Sequence, residues 1–223
     1  MNMKTVLVKT LGLMELEDRA NGITHAAGMG GALAGLVLLA ILSAQTGDPW
    51  KIVSVCIYGA TLVLLFTAST LYHTSRSATL RRSLRMLDHA AINMLIAGTY
   101  TPFMLVNLRG PWGWSLFGAI WFLALASTIL DLSSAGRFKI AKTILYLVMG
   151  WIIVIAMPPL AHSISTAGLV LLVAGGVIYS VGTAFYALDK RIAFGHVVWH
   201  VFVLAASVCH FLSITFGVLP HVG

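Results

Sequence analysis

Apolar residues gather along the chain into seven long stretches, approximately residues 23–44, 51–74, 87–106, 112–132, 140–157, 165–187 and 196–219. Each is about 18–25 residues, the length an α-helix needs to cross the hydrocarbon of a bilayer. Polar and charged residues are confined to short connections, and no connection has the composition of a linker or second domain. The pattern predicts an all-α integral membrane protein, a seven-transmembrane-helix bundle forming one domain over 1–223, with 1–22 as an N-terminal segment. That segment carries Lys4, Lys9, Glu15, Glu17, Asp18 and Arg19 without the apolar core of a signal peptide, so the first stretch is expected to act as an uncleaved anchor. The fifth stretch is the shortest, and Pro158-Pro159 is expected to end it. Pro102 is expected to kink the third helix or end its regular part. Ala27, Gly31 and Gly35 recur every four residues, a spacing that lets helix backbones approach closely in lipid.

Composition sharpens this reading. The chain is 59% hydrophobic and 9% charged, where soluble chains carry about 25% charged residues, and its mean hydropathy is +0.93. A net charge of +7 would suit nucleic acid only if it formed a basic face on a soluble surface. Here the basic residues sit between apolar stretches, so nucleic acid is excluded as a partner. Twelve of the 14 lysines and arginines fall on one side: Lys4, Lys9, Arg19, Arg76, Arg81, Arg82, Arg85, Arg137, Lys139, Lys142, Lys190 and Arg191. Only Lys51 and Arg109 fall on the other. The positive-inside rule then puts the N-terminus in the cytoplasm and the C-terminus on the opposite side of the plasma (inner) membrane. Cys56 and Cys209 lie inside apolar stretches, far from any CxxC spacing, and read as small core residues.

The chemistry lies in polar residues that a membrane should exclude, since an ionisable group within a span is a functional candidate. His196 and His200 are spaced i, i+4 and project from one helix face, as two ligands of one metal require. Ser69 and His73 share that spacing in the second stretch, and Asp88 opens the third. With alternating helix directions, His73, Asp88, His196 and His200 all fall within about 5–10 Å of the cytoplasmic boundary. Three imidazoles and an open fourth position describe a catalytic type of zinc site. A blander reading stands beside this one, in which single histidines near helix ends make interfacial hydrogen bonds and Asp88 pairs with Arg85 or favours its helix N-terminus. His25 could join the site, although a structural role is favoured. His89, next to Asp88, should point about 100° away and share a face with Asn93. His210 lies too deep to share the metal, and His162 and His221 belong to the far side.

The run STLYHTSRSATLRRSLRMLDHAAINMLIAGTYTPF, from Ser69 to Phe103, resembles the bacterial hemolysin III family, within the group that contains the progestin and adipoQ receptors and, more distantly, alkaline ceramidases. EDRANGITH (Glu17–His25) and GHVVWHVFVLAASVCHF (Gly195–Phe211) extend the resemblance over nearly the whole chain. Asn93 departs from it, standing where a tyrosine is expected. The resemblance implies a zinc-binding seven-helix bundle with His73, His196 and His200 as ligands. Asp88 would act through the metal's water, with Ser69 beside it.

Three functions follow as expectations. The first is a zinc-dependent hydrolase of a membrane lipid, with ceramidase-like cleavage of an amide or ester, Asp88 as general base and Ser69 steadying the oxyanion. The second is a non-catalytic sensor or regulator of membrane homeostasis with structural zinc. The third is a cytolysin, which the absence of a polar stripe in the spans disfavours. The charge asymmetry gives a direct test of orientation. A topology reporter inserted between Arg76 and Arg85 should read cytoplasmic; a periplasmic signal there would overturn the orientation and the shared depth of the four residues.

Overall fold

A computed structural model describes residues 3–133, 139–189 and 191–220, with side chains from residue 12 onward. Of the residues singled out above, Arg137, Lys190 and His221, and the side chains of Lys4 and Lys9, lie outside the described set. The described residues form helices α1 (Met3–Gln45), α2 (Pro49–Thr74), α3 (Ala78–Pro102), α4 (Pro111–Ser133), α5 (Lys139–Trp151), α6 (Met157–Ser163), α7 (Thr166–Leu188) and α8 (Gly195–Gly217). No strand occurs among them.

Local sequence explains the boundaries. Asp48 caps α2 by accepting from Trp50 N, with Pro49 in the first turn, where its missing N–H costs nothing. Ser77 caps α3 and Ser165 caps α7 in the same way. The regular part of α3 ends at Pro102 and continues as a wider turn over Phe103–Asn107, as the proline predicts. The fifth stretch differs from expectation. α5 tightens after Trp151 into a 3-10 segment, Ile152–Ala156, and Pro158-Pro159 begins α6 instead of ending the span. Proline is favoured in a first helical turn, so the pair restarts the helix that the tight segment interrupts. Tyr100 stabilises the break: its hydroxyl lies 2.8 and 2.9 Å from the Met149 and Gly150 carbonyls and accepts from Ile153 N at 2.8 Å.

Among the described residues, six segments are long and apolar enough to cross a membrane: Gly12–Gln45, Pro49–Thr74, Pro111–Ser133, Lys139–Ser163, Thr166–Leu188 and Gly195–Gly217. α3 is long enough but not apolar enough, because Arg81, Arg82, Arg85 and Asp88 lie on the helix itself. The connection expected between the second and third stretches shrinks to Ser75–Ser77. From Asp88 onward α3 is largely buried by its neighbours, and a helix wrapped in protein needs less apolar surface than one facing lipid.

The helices close into a loop in which α1 packs on α2 and α8, α2 on α3, α3 on α4 and α5, α5 on α7, and α7 on α8. Small residues set the closest approaches, but only one of the expected set, Gly35, is among them. Ala27 and Gly31 face outward, and a Cβ on Gly31 would meet nothing within 4 Å. Gly28 faces inward instead, where a Cβ would come within 2.7 Å of Phe66 and Leu204, and Gly35 abuts Phe211. The contacting pair is therefore Gly28 and Gly35, seven residues apart, and of the expected set only Gly35 belongs to it. At the end remote from Asp88, Lys51 Nζ donates to the Leu219 carbonyl at 2.7 Å, while Asn107 Nδ2 donates to the Ser163 and Gly217 carbonyls. These bonds satisfy carbonyls that the C-termini of α6 and α8 leave unpaired.

Gly98 sits where α3 meets α2, and a Cβ there would collide with the Thr61 side chain. Gly98→Ala should cost about 1–3 kcal/mol through overpacking, read as a lowered thermal midpoint in detergent. Gly31→Ala, with open space around it, should leave that midpoint unchanged.

Candidate metal centre

His73 lies in the last turn of α2, and His196 and His200 occupy the first two turns of α8. Phe194, immediately before α8, is held in the left-handed region at φ 58°, a sharp reversal that starts the helix at Gly195. The ring centroids of His73, His196 and His200 are 4.8–5.3 Å apart, and one nitrogen from each lies within 4.8 Å of the others. His73 and His200 are buried and His196 is half-buried. This is the one group of three or more possible ligands among the described residues close enough to hold a metal ion.

The outer nitrogens show how the rings are held. His73 Nδ1 donates to Asp18 Oδ1 at 3.1 Å, His196 Nδ1 lies 3.5 Å from Asp189 Oδ2, and His200 Nδ1 donates to the Asn21 carbonyl at 3.3 Å. Thr24 Oγ1 lies 3.4 Å from the same His200 nitrogen. A proton on Nδ1 leaves Nε2 as the lone-pair nitrogen of each neutral ring, the arrangement usual for metal-binding histidines. His73 Nε2 is buried with no hydrogen-bond partner, an arrangement that is costly unless something occupies the site. The donor set therefore fits a metal ion.

Each carboxylate is itself anchored by a cation. Arg81 pairs with Asp18, and Lys139 with Asp189 at 2.7 Å. Burial alone raises the Asp189 carboxyl, but hydrogen bonds from His196 and Lys139 outweigh it and hold the group at about 2. Sequence reasoning placed none of Asp18, Asp189, Asn21 or Thr24 in the site. The available signal was scarcity, since the chain has only seven acidic residues and each needed an explanation.

Asp88 and Ser69 are buried and line the same cavity as His196 and His200. Asp88 is in ion-pair contact with none of the described cations, and the buried Ser69 hydroxyl lies beside its carboxylate. His89 also lines that cavity, its ring edge-on to Tyr186 with centroids 6.5 Å apart. His25 stacks on His200 with centroids 3.5 Å apart, and neither of its ring nitrogens has a partner. His210 is separate, its Nε2 donating to the Leu172 carbonyl at 3.3 Å. Asn93 donates at 2.8 Å to Asp131, which also receives Tyr146 OH and pairs with Lys142 at 2.6 Å. Cys56 and Cys209 are free thiols.

Two cavities meet at His196. An interior one of about 120 Å³ runs from Ser69, Asp88 and His200 to His210 along mostly apolar walls that include Leu65, Ile92 and Val203. A wider vestibule of about 400 Å³ lies on the other side, lined by polar residues from α1, α2, α3, α5, α7 and α8. Asp88, His89, Tyr186 and His196 border both.

Residues 15–211 match the family described as Haemolysin-III related. The chain is 41% identical over 204 residues to Hemolysin-3 of Bacillus cereus, covering 92% of this chain and 93% of that protein. It is 44% identical over 200 residues to the Hemolysin-3 homolog of Bacillus subtilis, covering 90% and 93%. A human protein, the monocyte to macrophage differentiation factor, is 32% identical over 203 residues, covering 89% of this chain and 83% of its own length.

The outer partners of the histidines can be tested apart from the ligands. Asp18→Ala and Asp189→Ala should each lower metal affinity about 10–100-fold, measured by competition with a chelator. His210→Ala should leave the affinity unchanged; a loss there would show that the two histidine groups are linked.

Proposed function

The chain belongs to the haemolysin-III-related family, and on that footing we propose that it is a seven-span, zinc-dependent hydrolase of membrane lipids. α3 supplies the seventh crossing, enclosed by α2, α4 and α5. The arginine-bearing end of the bundle faces the cytoplasm, which puts the N-terminus inside, the C-terminus outside and the histidines near the inner leaflet of the plasma membrane.

One observation carries the proposal: three imidazoles converge with their outer nitrogens tied to Asp18, Asp189 and Asn21. His73, His196 and His200 would hold the ion, and three nitrogen ligands with an open position favour catalytic zinc. When bound, zinc supplies Lewis acidity toward a substrate carbonyl. The protein's own groups do the rest. Asp88, at the junction of the two cavities, takes the proton from the attacking water. The Ser69 hydroxyl, buried in the cavity wall beside Asp88, donates to the oxygen on which negative charge develops. The apolar cavity toward His210 takes an acyl chain, which sets an ester or amide bond beside the histidines. A cytolytic pore would need a polar, water-filled path, and the walls of this cavity are mostly apolar.

A second reading rests on the same geometry. The three ligands join the end of α2 to the start of α8, so the metal could serve as a structural tie in a regulator of membrane state. Metal analysis of the purified chain should find about one zinc per chain, and alanine at His73, His196 and His200 together should remove it. Asp88→Asn should keep the zinc and lower lipid turnover by about 10²–10⁴-fold, read as a changed lipid profile in cells carrying it. An Asn variant whose lipid profile matches that of wild type would reject the catalytic assignment and leave the tie.

A further inference from the structure

The vestibule beside the histidines carries four cations, Arg81, Arg85, Lys139 and Lys142. Three are neutralised, by Asp18, Asp189 and Asp131 respectively. Arg85 is not. All seven acidic residues of the chain lie among those described, and none is within ion-pair distance of Arg85. Arg81 and Lys142, which line the same cavity, are already committed, and with no hydrogen-bond partner among the described residues the Arg85 guanidinium presents its donors to a polar space of about 400 Å³. Glu17 and Asp88 are the lining carboxylates that pair with no cation, Asp88 at the buried inner end and Glu17 at the half-buried rim.

Position says what Arg85 meets. It precedes Asp88 by three residues on α3, hence on the same face and about 4.5 Å further toward the helix start. A ligand whose scissile bond sits by Asp88 and the histidines, with its chain in the apolar cavity, must leave its headgroup in the vestibule under Arg85. Guanidinium is a planar fork that matches the oxygens of phosphate in pairs. In a glycerophospholipid the acyl ester lies just chainward of the phosphate, which is the order of Asp88 and Arg85 along α3.

We propose that the vestibule is a phosphate-binding subsite, with Arg85 its principal ligand, and that the lipid bound is therefore a glycerophospholipid and not a neutral lipid. This rests on the lipid-hydrolase reading above for the direction in which the ligand lies, and it narrows the substrate class of that site. Arg85 is a specificity-determining residue here: it holds the headgroup and takes no part in proton transfer.

The test uses the full chain in detergent, loaded with phosphatidylglycerol or with a diacylglycerol of the same acyl chains. Retained lipid is measured by mass spectrometry and cleavage by released fatty acid. Wild type should retain and cleave phosphatidylglycerol in preference to diacylglycerol. Arg85→Gln should lose that preference by about tenfold or more, with metal content and thermal midpoint unchanged. Arg85→Lys should recover part of it, because the charge returns without the fork. Should Arg85→Gln fail to fold, the preference of wild type and of Arg85→Lys still decides the matter. Equal retention of the two lipids by wild type, or an unchanged preference in Arg85→Gln, would overturn the proposal. So would displacement of the lipid by millimolar inorganic phosphate together with equal cleavage of both lipids, since the site would then read the free anion. The two readings fail separately. Phosphatidylglycerol retained through Arg85 without any cleavage keeps this subsite and removes the hydrolase. Cleavage of both lipids at equal rates, indifferent to Arg85, does the reverse.

Discussion

Three imidazoles brought together inside a membrane protein impose the constraint from which the rest of the site follows. Each ring has one proton to place, and the rings cannot all face inward with their lone pairs unless each proton has an acceptor on the outside. Asp18, Asp189 and the Asn21 carbonyl are those acceptors. Two of them are charged, and Arg81 and Lys139 pair with them at the wall of the vestibule. The result draws α1, α3, α5 and α7 to the junction of α2 and α8. The cation at each outer end, the carboxylate between and the imidazole within are one structural unit spread over most of the bundle.

The same end of the bundle carries nearly all of the described charge, while the opposite end is closed by neutral or singly charged donors on carbonyls, such as Lys51 on Leu219 and Asn107 on Gly217. This asymmetry has a chemical counterpart in the cavities. One is apolar and leads inward to His210, the other is polar and holds an unpaired guanidinium, and His196 and Asp88 stand where they meet. An amphiphile is the kind of molecule that such a boundary sorts, with its chain on one side and its headgroup on the other. Family membership adds no substrate to this, since the names of the relatives describe lysis and differentiation and not a reaction.

Spacing alone pointed to the three clustered histidines. His196 and His200 share a face because they are one helical turn apart, and alternating helix direction brings His73 to their depth, so periodicity was enough to find all three. The membrane class and most helix limits were likewise written in apolar length. Where the reading missed, two neighbouring features competed at one position. Pro158-Pro159 ends one kind of helix and begins another, and only the 3-10 segment before it shows which applies. The small residues of α1 fit two faces, and the bulk of Phe66, Leu204 and Phe211 on the neighbouring helices selects Gly28 and Gly35.

The sequence by itself therefore determined what depends on distance along the chain: the apolar lengths, and the common depth of His73, Asp88, His196 and His200. The tertiary structure decided what depends on which helices are neighbours. Asp18 is 55 residues from His73, and Asn21 is 179 from His200. Asp189 is close to His196 in sequence, but it is held in place by Lys139, 50 residues away. No periodicity links such residues. They meet because buried protons and charges must find partners, and only the packed bundle fixes which partners are within reach.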